Sequence, residues 1–132
     1  AVSGVDKGAY ILKEASSTPK VTIIATGSEV GIALDAQQAL ESSGVSTQVV
    51  SAPCLEWFNE QPQSYRDSVL PKTSLRVSIE AGISLGWREY VGDDGVIISL
   101  DHWGASAAAN KLYTEFGLTA DRVVTDIKEA LA

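Results

Sequence analysis

Apolar residues along the chain gather into five short runs that predict β-strands. Val21–Ala25 and Val96–Leu100 are almost continuously apolar, which is typical of strands buried on both faces of a parallel sheet. Leu75–Ile79 alternates apolar and polar residues instead. That alternation indicates one wetter face, or a face packed under polar groups of another domain. The other two predicted strands are Ala9–Lys13 and Thr47–Val50.

A helical pattern follows the second strand. We expect a helix with Ser28 as its N-cap, Glu29 in its first turn, an end near Ser43 and Gly44 just beyond it, because these residue types favour those positions. Its apolar residues spread over a wide arc rather than a narrow stripe. We therefore expect this helix to contact more than the sheet.

Three more segments of the chain are predicted to be helical. Residues 57–70 should be helical in pieces, since Pro62 breaks the pattern and Pro71 stops it. A helix is expected from Ser106 to Gly117. The last begins at Thr119 and shows apolar residues at helical spacing, namely Val123, Ile127, Ala130 and Leu131.

The alternation of strands and helices predicts an α/β fold, a three-layer sandwich around a mostly parallel five-stranded sheet. The connection 15–20 is too short for a parallel crossover, so the first strand is expected to pair antiparallel or to lie at an edge. Residues 1–8 are small and polar and are interpreted as a linker or truncated end. The domain itself is expected to span residues 9–132.

Composition and charge narrow the possible partners. The 132 residues suffice for one domain. Ten basic against seventeen acidic residues give a net charge of −7, which disfavours nucleic acid and anionic membranes as partners. With no apolar run near the length of about 18 residues that spans a bilayer, we expect a cytoplasmic protein. One cysteine, Cys54, and one histidine, His102, allow neither an internal disulfide nor a zinc cluster.

The carboxyl ends of the predicted parallel strands form a candidate ligand or docking edge, because ligand sites of such sheets gather there. Its strand-to-helix junction suits an anion but lacks the glycines of a dinucleotide fingerprint. The edge carries acidic residues and no lysine or arginine, so we interpret it as a docking or hydrogen-bonding surface rather than a catalytic pocket. Its residues are Thr26, Gly27, Ser28, Glu29, Glu80, Gly82, Asp101, His102, Trp103 and Ser106.

Three other features are interpreted as structural. Gly92–Gly95 has the composition of a tight turn and lacks the rest of a diphosphate or metal motif. His102 follows Asp101 directly, a poor arrangement for mutual contact, and no nucleophile accompanies it. Cys54 is expected to be a semi-buried loop residue. We therefore assign no catalytic, cofactor-binding or metal residue.

Six segments, in order and at matching spacing, resemble the C-terminal domain of transketolase. The likeness covers nearly the whole chain, with Trp103 in place of a usual phenylalanine and Cys54 in place of a commoner small residue. The segments are Gly8–Leu12, Ile24–Val30, Tyr65–Pro71, Ile79–Gly82, Trp87–Gly92 and Trp103–Ala107.

This resemblance implies an enzyme that transfers two-carbon ketol units between sugar phosphates with thiamine diphosphate and a divalent cation, magnesium or calcium. In that family two upstream domains hold the cofactor, and the active sites lie between the subunits of a homodimer. None of the family's catalytic or cofactor residues maps onto positions 1–132. The resemblance thus implies that this fragment binds no cofactor and is inactive alone, while the full-length protein is an enzyme.

Two roles remain open for the domain. The first is scaffolding, in which the domain packs against the upstream domains and the second subunit. The wide apolar arc of the Ser28 helix and four exposed-looking aromatics motivate this role. The alternative is a regulatory module for a nucleotide or phosphate, or the equivalent domain of a related thiamine-diphosphate enzyme. An independent hydrolase would need a nucleophile–base pair, which is missing. The aromatics are Trp57, Phe58, Trp87 and Trp103.

Overall fold

The computed structural model describes residues 5–80, 87–99 and 120–132. Their strands form one five-stranded sheet, with helices packed on both faces. All five predicted strands are present, with ends shifted by one residue at most among the described positions. The strands are β1 Tyr10–Lys13, β2 Val21–Ala25, β3 Thr47–Ser51, β4 Leu75–Glu80 and β5 Val96–Ser99.

The strand order is β1-β3-β2-β4-β5. Strands β2 to β5 run parallel to one another, whereas β1 pairs antiparallel with β3 at the edge of the sheet. This confirms the predicted α/β fold class and the prediction that the first strand pairs antiparallel or lies at an edge. The register of β1 shifts between Ile11 and Lys13. A short, irregular edge strand that carries a lysine is a common protection against pairing with other chains.

In the described residues, helices connect the successive parallel strands β2 to β5. Two short 3₁₀ turns, Val5–Lys7 and Gly27–Glu29, accompany them. The predicted break at Pro62 is confirmed, since it precedes the second of two short helices. The helix predicted over 106–117 lies outside the described residues. The helices are α1 Val30–Ser42, α2 Leu55–Asn59, α3 Gln63–Val69, α4 Arg88–Val91 and α5 Ala120–Leu131.

The prediction for α1 is confirmed at its C-terminus and wrong at its N-terminus. At its C-terminus, the Val45 N–H donates to the Leu40 carbonyl at 2.9 Å and the Gly44 N–H to the Glu41 carbonyl at 3.0 Å. With φ of 90° at Gly44, this is a Schellman motif, as the glycine predicted. At the other end, Ser28 lies inside the 3₁₀ turn rather than before it. The predicted Ser28 cap is therefore wrong, because the helical turn already begins at residue 27.

One face of the sheet packs against α1 and α5. The wide apolar arc of α1 is explained within the domain, because α1 contacts α5 as well as β2 and β3. Of the apolar residues predicted on α5, Val123 and Ile127 are buried, whereas Ala130 and Leu131 are exposed. The buried side chains on this face are Val21, Ile23, Ala25, Ala33, Ala36, Leu40, Val49, Val77, Ile79, Ile98, Val123 and Ile127.

The opposite face packs against α2, α3 and α4 and contains a buried polar layer. The Gln48 side-chain amide donates to Thr22 Oγ1 at 3.0 Å and to the Val69 carbonyl at 3.1 Å, and Thr22 Oγ1 lies 2.8 Å from Ser74 Oγ. These bonds satisfy polar groups that would otherwise be costly to bury. The polar side of β4 faces the same layer of this domain. The polar face of β4, for which one expectation was greater exposure to water, is buried at Ser78.

The Glu41 carboxylate links the end of α1 to two other segments. It accepts hydrogen bonds from Ser16 Oγ at 2.6 Å, from the Ser16 N–H at 3.1 Å and from the Thr47 N–H at 2.9 Å. The side-chain bond from Ser16, followed by the backbone bonds from Thr47 and Ser16, lowers the Glu41 pKa below its usual 4.5. A lowered pKa in the folded state stabilises the fold above pH 4.5, and this contribution is lost as pH falls through the folded-state value.

We expect Glu41→Gln to lower the urea midpoint at pH 7, because the charge-assisted bonds are lost. The difference from the original chain should shrink at pH 3, because a larger fraction of the original carboxylate is protonated there than at pH 7. Urea unfolding at both pH values checks this, with Glu56→Gln on α2 as the control for loss of an exposed charge. An equal deficit of E41Q at pH 7 and pH 3 would contradict the assigned role of the carboxylate.

Candidate functional site

The predicted strand-to-helix junction lies at the carboxyl end of the central strand β2. Thr26 is extended, with φ −125° and ψ 149°, and Gly27 follows with φ 55°. The Glu29 N–H then donates to the Thr26 carbonyl at 3.1 Å, which closes the 3₁₀ turn. This geometry leads the chain from the sheet directly into α1.

The end of β3 continues the same edge. The Ala52 N–H donates to the Ala25 carbonyl at 3.0 Å, and the Cys54 N–H donates to the Gly8 carbonyl at 2.9 Å. Between these segments lies a depression of about 380 Å³. We call it the strand-end depression, and it is lined by Thr26, Gly27, Ala52, Pro53, Cys54, Leu55, Glu56 and Trp87.

The strand-end depression is lined mainly by uncharged side chains, and the charged side chains at or near it are acidic. Among the residues that the structure describes, its lining includes one charged residue, Glu56, and no lysine or arginine. Glu29 is also close. Its side chain is 6% exposed, and its Oε2 lies 3.7 Å from the position that a Cβ would take at Gly27. A carboxylate at this distance opposes an anion at the helix N-terminus, despite the favourable backbone dipole.

The ten residues of the predicted edge separate into two groups. Thr26 and Gly27 line the strand-end depression, with Ser28 and Glu29 in the turn behind them. Glu80 ends β4 and follows Ile79, the register partner of Ala25, so it reaches the same edge. The other five predicted residues lie outside the described residues. They are Gly82, Asp101, His102, Trp103 and Ser106.

Two local predictions are confirmed. Gly92–Gly95 forms a turn, in which the Gly95 N–H donates to the Gly92 carbonyl at 3.2 Å. Cys54 is free and partly buried just before α2. In the described part of the chain, no three His, Cys, Asp or Glu side chains gather closely enough to ligate a metal ion. None of its helices has both the length and the apolar character needed to cross a bilayer.

The predicted exposed aromatics differ in their environments. Trp57 is 52% exposed on α2. Phe58 and Trp87 are 1% and 4% exposed, so their predicted exposure is wrong. Both are in the core between the sheet and α2–α4, because the short helices turn these rings inward. Trp103 lies outside the described residues.

Sequence reasoning missed a group of basic side chains on the opposite side of the domain from α1. Arg66, Lys72 and Arg76 line a separate cavity between α3, α4 and β4. Arg66 lies in the Tyr65–Pro71 segment of the family resemblance and Lys72 follows that segment, but no binding site was predicted there. The alternation of β4 places Arg76 on the sheet face that α2–α4 cover, and this alternation was the sequence pattern that could have indicated the cavity.

Comparisons with known proteins agree on one family. Residues 8–119 match the family model described as transketolase-like TK C-terminal domain. The chain is 47% identical over 133 aligned residues to transketolase of Geobacillus stearothermophilus, an alignment that covers 99% of this chain and 20% of that protein. This chain therefore spans about a fifth of that relative's length.

Solved structures show the same similarity. Transketolase from Leishmania mexicana superposes with a TM-score of 0.87 at 41% identity, covering 96% of this chain and 18% of that one. A chain described as split gene transketolase, inactive beta4 tetramer, superposes with a TM-score of 0.71 at 25% identity. That match covers 96% of this chain and 43% of the other.

The close approach of Gly8 to α2 generates a stability prediction. A Cβ at Gly8 would lie 2.0 Å from the Cys54 carbonyl oxygen and 2.4 Å from the Phe58 nitrogen. Gly44 has a similar positive φ but has open space around it. We expect Gly44→Ala to cost roughly 1 kcal/mol, from backbone strain alone. Gly8→Ala should cost roughly 3 kcal/mol or more, since strain and overpacking add.

Urea unfolding of the two glycine variants measures this difference. Gly44→Ala is the matched control, because it introduces the same methyl group at a similar φ without a clash. Equal losses of unfolding free energy in G8A and G44A would contradict the tight packing of the Gly8 segment against α2.

Proposed function

This chain belongs to the transketolase-like C-terminal domain family, and we propose that it is a non-catalytic structural domain of a transketolase. Residues 9–132 form the domain and residues 1–8 the linker to the upstream domains. The complete enzyme transfers two-carbon ketol units between sugar phosphates in the cytoplasm, as a homodimer. The upstream domains bind thiamine diphosphate and magnesium or calcium, and the cofactor supplies the chemistry that cleaves the carbon–carbon bond.

The chemistry of the strand-end depression supports a non-catalytic role. The lining residues that the structure describes include no lysine or arginine to hold a phosphate, and Glu29 is buried behind the Gly27 turn. The same features leave the nucleotide-binding alternative without support at this edge. The inactive beta4 tetramer of the split gene transketolase is consistent with the proposal, because that chain also contains a matching domain.

The exposed indole of Trp57 is the observation that carries the scaffolding role. An indole that is 52% exposed is a typical anchor of a protein interface. It lies on α2 beside the strand-end depression, which Leu55 and Glu56 of the same helix line. It also lies beside the segment that enters from the linker, since a Cβ at Gly8 would be 2.9 Å from the Trp57 Cβ.

This placement supports an upstream domain as the occupant of the surface. An upstream domain joined through residues 1–8 is tethered close to Trp57, which raises its effective concentration there. We therefore propose that the edge formed by Thr26–Glu29 and Glu80, together with Trp57, docks against the upstream domains and steadies the dimer. For Gly82, Asp101, His102, Trp103 and Ser106, which lie outside the described residues, a place on this edge stays a prediction from sequence.

The absence of activity is directly testable. The 132-residue chain, given a ketose phosphate donor, an aldose phosphate acceptor, thiamine diphosphate and magnesium, should show no turnover above buffer, because it carries no proposed cofactor residue. Product formation followed by mass spectrometry checks this, with a complete transketolase as the positive control. Turnover by the purified chain alone would overturn the proposal.

The docking role predicts a selective effect of Trp57→Ser. In a full-length transketolase carrying this domain, W57S should raise the dimer dissociation constant at least tenfold, since truncation of an interfacial anchor costs about 2 kcal/mol or more. Sedimentation at a series of concentrations measures it. The unfolding free energy of the 132-residue chain should change little, because the indole is half-exposed there.

Leu131→Ser is the matched control for Trp57→Ser. Leu131 is 42% exposed but lies at the end of α5, on the opposite face of the sheet. We expect L131S to leave dimerisation within about twofold of the original. If W57S and L131S have the same effect on the dimer, Trp57 is not part of the interface.

A further inference from the structure

A second cavity lies on the face of the sheet covered by the short helices. Its volume is about 200 Å³, and it is bounded by the end of α2, by α3, by β4 and by α4. Phe58, Leu70 and Tyr90 supply apolar or aromatic walls, and Arg66, Lys72 and Arg76 supply positive charge. We call it the basic cavity. It is separate from the strand-end depression, with which it shares no lining residue.

The basic side chains of this cavity are not neutralised by ion pairs. Within residues 5–80, 87–99 and 120–132, the ion pair that the structure shows is Arg122–Asp126 on α5. Arg66 Nε donates to the Gln61 carbonyl at 3.1 Å, and Arg76 Nη1 to the Tyr90 carbonyl at 3.1 Å. These bonds orient both guanidinium groups but do not balance their charge.

Arg76 also has a hydrogen-bond donor that is unsatisfied in the described structure. Its Nε is buried and has no hydrogen-bond partner among the described residues. Leaving a buried donor unsatisfied is energetically unfavourable. A guanidinium held by one bond to a backbone carbonyl keeps donors available for an oxyanion, whose geometry it matches well.

Two acidic residues also line the cavity and limit what it can accept. Asp67 is exposed and accepts a hydrogen bond from Gln63 Nε2 at 2.7 Å, and Glu89 is exposed as well. Three cations against two carboxylates leave the cavity net positive, in a chain of net charge −7. Because the carboxylates are exposed to solvent, their repulsion of a bound anion is screened more than the attraction of the half-buried guanidinium groups.

We propose that the basic cavity binds a small phosphate-type oxyanion, held by Arg66, Lys72 and Arg76. The volume of about 200 Å³ is below the usual range of roughly 300–1,000 Å³ for larger organic ligands. It therefore suits pyrophosphate, or the phosphate group of a phosphorylated metabolite whose remainder stays outside. This site is independent of the proposed scaffolding role and uses no residue of that surface.

Calorimetric titration of the 132-residue chain tests the site. The probes are inorganic phosphate, pyrophosphate and glucose 6-phosphate, each at constant ionic strength. Saturable binding of pyrophosphate or glucose 6-phosphate is expected, with amide shifts in ¹H–¹⁵N spectra centred on residues 66–76 and 90–92. Tighter binding of pyrophosphate identifies a free oxyanion as the ligand, and tighter binding of glucose 6-phosphate identifies a phosphorylated metabolite. Absence of saturable binding for every probe overturns the proposal.

Lys72→Gln and Lys128→Gln form the matched pair of variants. Both lysines are exposed, so neither change should unfold the chain, and both change the net charge equally. K72Q should raise the dissociation constant roughly tenfold, through loss of one charge-assisted hydrogen bond. K128Q, on α5, should change it by less than about twofold. Equal effects of the two variants would assign the binding to overall charge and overturn the proposed site, as would tighter binding of a hexaglutamate peptide than of pyrophosphate.

Discussion

Strand β2 is buried along its whole length and paired along both edges, and the remaining elements are arranged around this constraint. All five residues of Val21–Ala25 are buried, with Ile23 in the core under α1 and α5 and Ile24 in the core under α2–α4. A strand with two apolar faces has to be covered twice. Parallel neighbours on both sides require crossover connections, and α1 between β2 and β3 supplies one of these covers.

The same constraint separates the surfaces on which the proposed functions depend. Because β2, β3 and β4 end at one edge, the chain turns there into α1 and towards α2. Of the described residues, this edge collects Glu29 and Glu56, and its depression has no basic residue among them. The layer formed by α2, α3 and α4 is thinner than the layer on the other face of the sheet, since its helices have four to seven residues. Gaps between such short helices leave room for the basic cavity beside Arg76.

Elements governed by local chemistry were predictable from sequence. Pro62 separates two helices and Gly44 ends another, because a missing N–H and a permissive φ act at their own positions. The prediction that Trp87 is exposed was wrong, because its burial depends on α4, whose four residues are too few to show a periodicity. The wide apolar arc of α1 was recognised correctly, but the element that covers it, α5, lies about 80 residues further along the chain.

The order of residues alone established the α/β class, the strands, the negative charge and the resemblance to one family, and it predicted that β1 is antiparallel or lies at an edge. These properties follow from runs, spacing and composition, which are local or additive along the chain. Tertiary packing alone decided that Trp57 is exposed while Phe58 beside it is buried. It also brought Arg66, Lys72 and Arg76 to one cavity. Such juxtapositions depend on how separate elements meet in space, and no pattern within a single segment encodes that meeting.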